Sequence, residues 1–147
     1  MNLVLVSRTK EKLETCAKDL KAKNPDIEVK IVVADFSQPE GLYERIKQEL
    51  KTTEVGILIN NVGMSYPHAE YMHLLTDDQI DNLIQLNVIS TTEMTRIVLP
   101  EMVDRKKGCI INVSSAAGLI PIGDPLYAVY SGACLMIRSL VLPNVLR

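Results

Sequence analysis

The chain has 147 residues, a length that fits one domain. Sixteen lysines and arginines stand against 18 aspartates and glutamates, a net charge of −2, and 47% of residues are hydrophobic. With one Phe and no Trp, this near-neutral, apolar composition argues against a basic nucleic-acid surface, an aromatic stacking platform and intrinsic disorder. Cys16, Cys109 and Cys134 are scattered without a C-x-x-C pair, which predicts reduced thiols and neither a disulfide framework nor a zinc site. No apolar run reaches the length of a bilayer span, and the first residues lack the plan of a signal peptide. The sequence therefore predicts a soluble, cytosol-facing chain with no membrane segment and no nucleic-acid partner.

Short apolar runs alternate with longer amphipathic stretches. Residues 3–6 read as a buried strand, followed by a helix with Leu13, Cys16, Ala17 and Leu20 on one face that stops at Asn24-Pro25-Asp26. Residues 29–33 form the second predicted strand. A helix over residues 39–51 then presents Leu42, Ile46 and Leu50, with Pro39 in its first turn. The third strand, residues 55–59, runs into Asn60-Asn61-Val62-Gly63 and a loop over residues 64–75. Thr76 is the expected N-cap of helical sequence that reaches Asp104, with a break near Asn87 or Pro100. Residues 109–113 are the fourth strand, residues 121–125 a turn-rich loop, and residues 126–140 a last helix. Solid apolar strands separated by helices predict one α/β domain over residues 1–147, with a parallel sheet covered on both faces.

Ligands of such sheets bind beyond the carboxyl ends of the strands. The residues found there are Ser7-Arg8-Thr9, Asp35, Asn60-Asn61-Val62-Gly63 and Ser114-Ser115. Singly, an Arg there is a solvated charge, an Asp a helix cap and two serines a turn. In order and spacing, together with Asn87 on the next helix and Tyr130-Ser131 opening the last one, they resemble the short-chain dehydrogenase/reductase superfamily. Residues 55–66, residues 99–103 and residues 6–13 resemble the branch of 17β-hydroxysteroid dehydrogenases and very-long-chain 3-oxoacyl-CoA reductases. A flavodoxin-like receiver domain fits poorly, because Asp35 lacks the acidic neighbours such a site needs.

The resemblance implies an incomplete Rossmann-like, doubly wound parallel sheet. It implies an oxidoreductase that moves a hydride between NADP(H) and a lipophilic carbonyl or alcohol, such as a steroid or a long-chain 3-oxoacyl-CoA. Tyr130 is then the general acid, Ser115 orients the carbonyl oxygen and Asn87 holds a water in the proton relay. Arg8 neutralises the 2′-phosphate of NADP, Asp35 meets the adenine, and Asn61 and Gly63 let the cofactor pass close to backbone. Further implications are an endoplasmic-reticulum location and a homo-oligomer through the helical faces of residues 76–104 and 126–140.

Three departures from that family's pattern accompany the match. No glycine precedes Gly41, so the glycine-rich phosphate cradle is missing, and the chain reads as a fragment that starts on the family's second strand. Cys134 stands where Tyr-x-x-x-Lys requires lysine. An ammonium about 5 Å from the phenol contributes roughly 3 kcal/mol to the phenolate at an effective dielectric near 20, and a neutral thiol contributes almost none of it. Arg138 is two turns from Tyr130, too far to substitute, and Tyr127, an alternative acid, has Ser131 at i+4. Ser115 and Tyr130 are also further apart than in the family, with the insertion at Ile122-Gly123-Asp124. Finally, residues 135–147 do not follow the family's continuation.

These departures predict a chain that is inactive alone and marginally stable, with residues 3–6 paired directly to residues 55–59 across the missing strand. A non-catalytic interaction partner of a full-length relative is the alternative. His68 and His73 read as surface or substrate-loop residues, and Arg105-Lys106-Lys107 as a helix C-terminus complementing its dipole.

Overall fold

Strand β1 (Leu3–Ser7) and strand β2 (Val29–Val33) are parallel in the computed structural model, in register from Leu3 opposite Val29 to Ser7 opposite Val33. The structure describes residues 2–119 and 125–139. Helix α1 (Lys10–Lys23) makes the crossover and packs on both strands through buried Leu13. Its last turn closes where the Asn24 amide donates to the Leu20 carbonyl. Helix α2 (Leu42–Leu50) buries Leu42, Ile46 and Leu50, the face read from the sequence. It starts three residues later than predicted, because Gly41 is in the left-handed region (φ 64°) and leaves Pro39 outside the helix. Arg45 donates to the Val33 carbonyl and fastens α2 to the end of β2. These elements make one compact unit, Met1–Thr52.

The second unit spans Thr53–Arg147. Strand β3 (Ile57–Asn60) is parallel to β4 (Cys109–Asn112), with Ile57 opposite Cys109 and Asn60 opposite Asn112. Between them run helix α3 (Asp77–Ile84), a π-helical turn (Gln85–Ile89) and helix α4 (Ser90–Asp104). Thr76 caps α3 as predicted, in a full capping box: its hydroxyl accepts the Gln79 amide while the Gln79 side chain accepts the Thr76 amide. The expected break falls at Asn87. Pro100 stays inside α4. Helix α5 (Ala128–Ser139) buries Ala133, Cys134 and Ile137.

The basic run does more than complement a dipole. Lys106 turns the chain with φ 53°, its amide and that of Lys107 return to the Val103 and Met102 carbonyls, and Arg105 donates to the Val55 and Lys107 carbonyls. Arg105 thus joins the end of α4 to the entry of β3.

Two sequence expectations are corrected. Residues 3–6 do not pair with residues 55–59: β1 is hydrogen-bonded to β2 and β3 to β4, in two separate two-stranded sheets. Each ladder joins consecutive strands through one helical crossover, the local solution for a βαβ unit. The β3–β4 sheet is also not covered on both faces. Leu58 and Asn60 are buried and α4 packs on β3, while Ile57, Ile59, Ile111 and Val113 are about half exposed or more, Ile59 at 59%. An apolar run alone cannot say which face receives a helix. The predicted loop at residues 121–125, the insertion at Ile122-Gly123-Asp124 and the continuation over residues 140–147 lie outside the described residues, apart from Pro125, which opens a short 3-10 turn (Pro125–Tyr127).

Candidate functional site

The second unit holds a cavity of about 280 Å³ lined by residues 61–65, Asn87, residues 113–115, Tyr130, Cys134 and Ile137. It lies beyond the carboxyl ends of β3 and β4. Five of the seven sequence-predicted site residues meet there: Asn61, Gly63, Asn87, Ser115 and Tyr130. Tyr130, Cys134 and Ile137 come from one face of α5, at i, i+4 and i+7.

The loop after β3 is held by a side chain 23 residues away. Asn87 Nδ2 donates to the Met64 carbonyl (2.9 Å) and to the Leu83 carbonyl (2.8 Å), and its Oδ1 accepts the Met64 amide (3.0 Å). The clamp works because position 63 is glycine. A Cβ there would stand 2.7 Å from Asn87 Oδ1, closer than real contacts permit. Both Nδ2 hydrogens are thereby taken, so the geometry gives Asn87 the work of placing the loop, and a water could reach this side chain only at a remaining Oδ1 lone pair. The π-helical turn carries Asn87 and is braced by Ser90 and Thr92, whose hydroxyls donate to the Leu86 and Val88 carbonyls.

On the other wall, Ser114 Oγ donates to the Cys134 carbonyl (2.9 Å), and Ser115 Oγ accepts the Ala117 amide (3.3 Å) at the start of a 3-10 turn (Ala116–Gly118). That bond does not use the Ser115 hydroxyl proton, and Ser115 lines the cavity. Gly118 sets the approach of this turn to α5, since a Cβ on it would lie 2.7 Å from the Cys134 carbonyl carbon and the Leu135 nitrogen. Tyr127, the alternative acid, is not in the cavity wall and stacks instead on Tyr66, with ring centroids 5.3 Å apart.

Sequence reasoning missed the layer beneath. Asn60 is buried and donates through Nδ2 to Asn112 Oδ1 (2.9 Å) and Thr95 Oγ1 (3.2 Å), linking β3, β4 and α4. The signal available was an asparagine closing each of the two apolar strands, Asn60 and Asn112. His68 lies 3.8 Å from Glu70 and His73 stacks on Tyr71.

Arg8 and Asp35 belong to the first unit, just past the ends of β1 and β2. Asp35 Oδ1 accepts the Ser37 hydroxyl (2.7 Å) and the Ser37 amide (3.0 Å). These two bonds, with a smaller attraction from Arg8, hold its carboxyl below the ordinary aspartate value. The stabilisation this gives is present above the unfolded-state pKa and is lost as pH falls through the lowered folded value. Ser37→Ala removes the hydroxyl bond and keeps the amide bond, so it should bring the Asp35 titration part of the way back up toward an ordinary aspartate, measured by carboxylate NMR; an unchanged midpoint would remove the Ser37 hydroxyl as a cause.

A family model for short chain dehydrogenases matches residues 1–141. The very-long-chain 3-oxoacyl-CoA reductase of Anas platyrhynchos is 44% identical over 135 residues, which is 90% of this chain and 42% of that protein. The inactive hydroxysteroid dehydrogenase-like protein 1 of Homo sapiens is 41% identical over 133 residues, 90% of this chain and 39% of that one. A short-chain dehydrogenase from Sphingobium yanoikuyae, solved in complex with NADPH, superposes with a TM-score of 0.83 at 28% identity, covering 95% of this chain and 53% of the other. The chain spans less than half the length of these curated relatives. With this sequence match and this fold, the chain belongs to the short-chain dehydrogenase family, in the branch that contains the very-long-chain 3-oxoacyl-CoA reductases.

Proposed function

We propose that the cavity is the substrate-facing part of an NADP-dependent oxidoreductase site for a lipophilic carbonyl or alcohol, a long-chain 3-oxoacyl-CoA or a steroid, in a single dinucleotide-binding domain. The observation that carries this reading is the convergence of Asn61, Gly63, Asn87, Ser115 and Tyr130 on one cavity. The lining suits a nicotinamide ring and a carbonyl. It combines the hydroxyls of Ser115 and Tyr130 with apolar Val113 and Ile137, and a side-chain-free Gly63 offers backbone. A volume of about 280 Å³ is at the low end for ligand pockets, the scale of a reacting end and not of a whole dinucleotide.

A nicotinamide dinucleotide, when bound, supplies the hydride for the carbonyl carbon or takes it back in the reverse direction. Tyr130 donates its phenolic proton to the oxygen, which becomes the alcohol hydroxyl, and Ser115 holds that oxygen through its hydroxyl. Asn87 keeps the loop of residues 61–65 in place against both. Arg8 serves a 2′-phosphate and Asp35 the adenine. The endoplasmic reticulum is the compartment this reading implies, and the helical faces of α3–α4 and α5 are the surfaces for a homo-oligomer.

Cys134 limits the chemistry. It is buried in the cavity wall one turn after Tyr130 and brings no positive charge to the phenolate. The chain is therefore expected not to turn over substrate alone. Calorimetry with NADPH and NADH, and a spectrophotometric assay with a long-chain 3-oxoacyl-CoA, test this. Preference for NADPH that Arg8→Ala abolishes supports the cofactor reading, and no NADPH binding at millimolar concentration overturns it. Turnover by the unaltered chain overturns inactivity.

The same cysteine favours a second reading, a non-catalytic partner of a full-length relative. Cys134→Lys separates the two. Turnover appearing in that variant supports a site lacking only its cation, whereas continued inactivity together with co-purification of the unaltered chain with a full-length very-long-chain reductase supports the partner role.

A further inference from the structure

Tyr66 is buried in the loop that leaves the cavity wall, although its neighbours Ser65 and Pro67 are exposed. Its ring stacks on Tyr127 at 5.3 Å with an interplanar angle of 15°. Its hydroxyl oxygen accepts the backbone amide of Val129 at 3.1 Å. Val129 is the second residue of α5, where amides have no partner inside the helix and a buried one without an acceptor is costly. Further along the loop, the Glu70 amide donates to the Leu126 carbonyl. The segment that starts α5 is thus gripped by ring, hydroxyl and backbone from one loop, and the next residue after Val129 is Tyr130.

We infer that Tyr66 is a positioning residue that fixes the first turn of α5 and with it the direction in which Tyr130 enters the cavity. The inference rests on the proposed role of Tyr130, but its geometric content does not. The loop carries two restraints on α5. The stack sets the lateral position of residue 127, and the hydroxyl sets the rotation of the turn by choosing which amide is satisfied. Tyrosine is the one side chain that supplies a large planar face and an acceptor at its far end. Phenylalanine keeps the first restraint and loses the second.

The test uses the 147-residue chain with tyrosine labelled at 13Cζ, the Tyr130 signal being assigned from Tyr130→Phe. In the unaltered chain the Val129 amide should exchange slowly for a helix N-terminus. In Tyr66→Phe it should exchange at least about fivefold faster, the equivalent of one hydrogen bond, and the Tyr130 resonance should move while those of Tyr43 and Tyr71 stay. A native-state chemical shift does not report how much protein is unfolded, so a purely stabilising role for Tyr66 would leave it in place. An unmoved Tyr130 signal in folded Tyr66→Phe overturns the inference. So does free exchange of Val129 in the unaltered chain, a result that needs no variant to fold. Neither readout involves dinucleotide binding or turnover, so the proposed function can fail while this inference stands.

Discussion

Asn87→Ala is expected to lower the stability of the second unit by about 3–5 kcal/mol, because it removes three hydrogen bonds at a buried position and leaves the Met64 amide and carbonyl to find other partners. Chemical denaturation followed by tyrosine fluorescence measures it. Gly63→Ala supplies the stronger test. In the unaltered background its Cβ meets Asn87 Oδ1 at 2.7 Å, so the substitution should cost about 1–3 kcal/mol of overpacking. In the Asn87→Ala background the obstruction is gone and the same substitution should cost close to nothing. The two changes are expected to be strongly non-additive. Additive losses would mean that residues 63 and 87 act separately and that no clamp exists.

The second large effect is expected at Gly118. Its missing side chain lets the 3-10 turn after β4 lie on the backbone of α5, with atoms of Cys134 and Leu135 at 2.7 Å from where a Cβ would be. A helix backbone cannot rotate aside as a side chain can. Gly118→Ala should therefore cost at least about 3 kcal/mol, the upper end of ordinary overpacking, and should break the Ser114–Cys134 hydrogen bond. Gly108→Ala is the control. Its Cβ comes within 2.5 Å of Met102 Cγ and Sδ and 2.9 Å of Met102 Cβ, side-chain atoms with no backbone among them, and it should cost less than a collision with helix backbone. Equal losses at the two glycines would overturn the assignment of Gly118 as the spacer between the serine loop and α5.

Periodicity made the skeleton legible. Leu42, Ile46 and Leu50 are buried on one face of α2, Thr76 caps α3, and the four strands fall within a few residues of the apolar runs that announced them. Small polar residues at strand ends pointed to Asn61 and Ser115, the resemblance to the short-chain dehydrogenases added Asn87 and Tyr130, and all four line one cavity. What stayed hidden depends on distances between segments remote in sequence. The Asn87–Met64 clamp spans 23 positions and the contact of Gly118 with Cys134 spans 16, and neither leaves a local pattern. Strand pairing was misjudged for a related reason. An apolar run says that a strand seeks a neighbour without saying which one, and the strands paired β1 with β2 and β3 with β4. Gly41 was readable in principle as a helix boundary, but Pro39 offered an equally good first turn.

The wide turn at Gln85–Ile89 inserts one residue more than an α-helical loop needs. Asn87, within the turn, holds the loop of the cavity, while Met94, Val98 and Met102, beyond it, are buried on the stretch that packs against β3. A single unbroken α-helix would rotate one of these sets by about 100° away from its partner. The extra residue is a phase adjuster, and it lets one continuous rod serve two surfaces whose spacing does not divide evenly into helical turns.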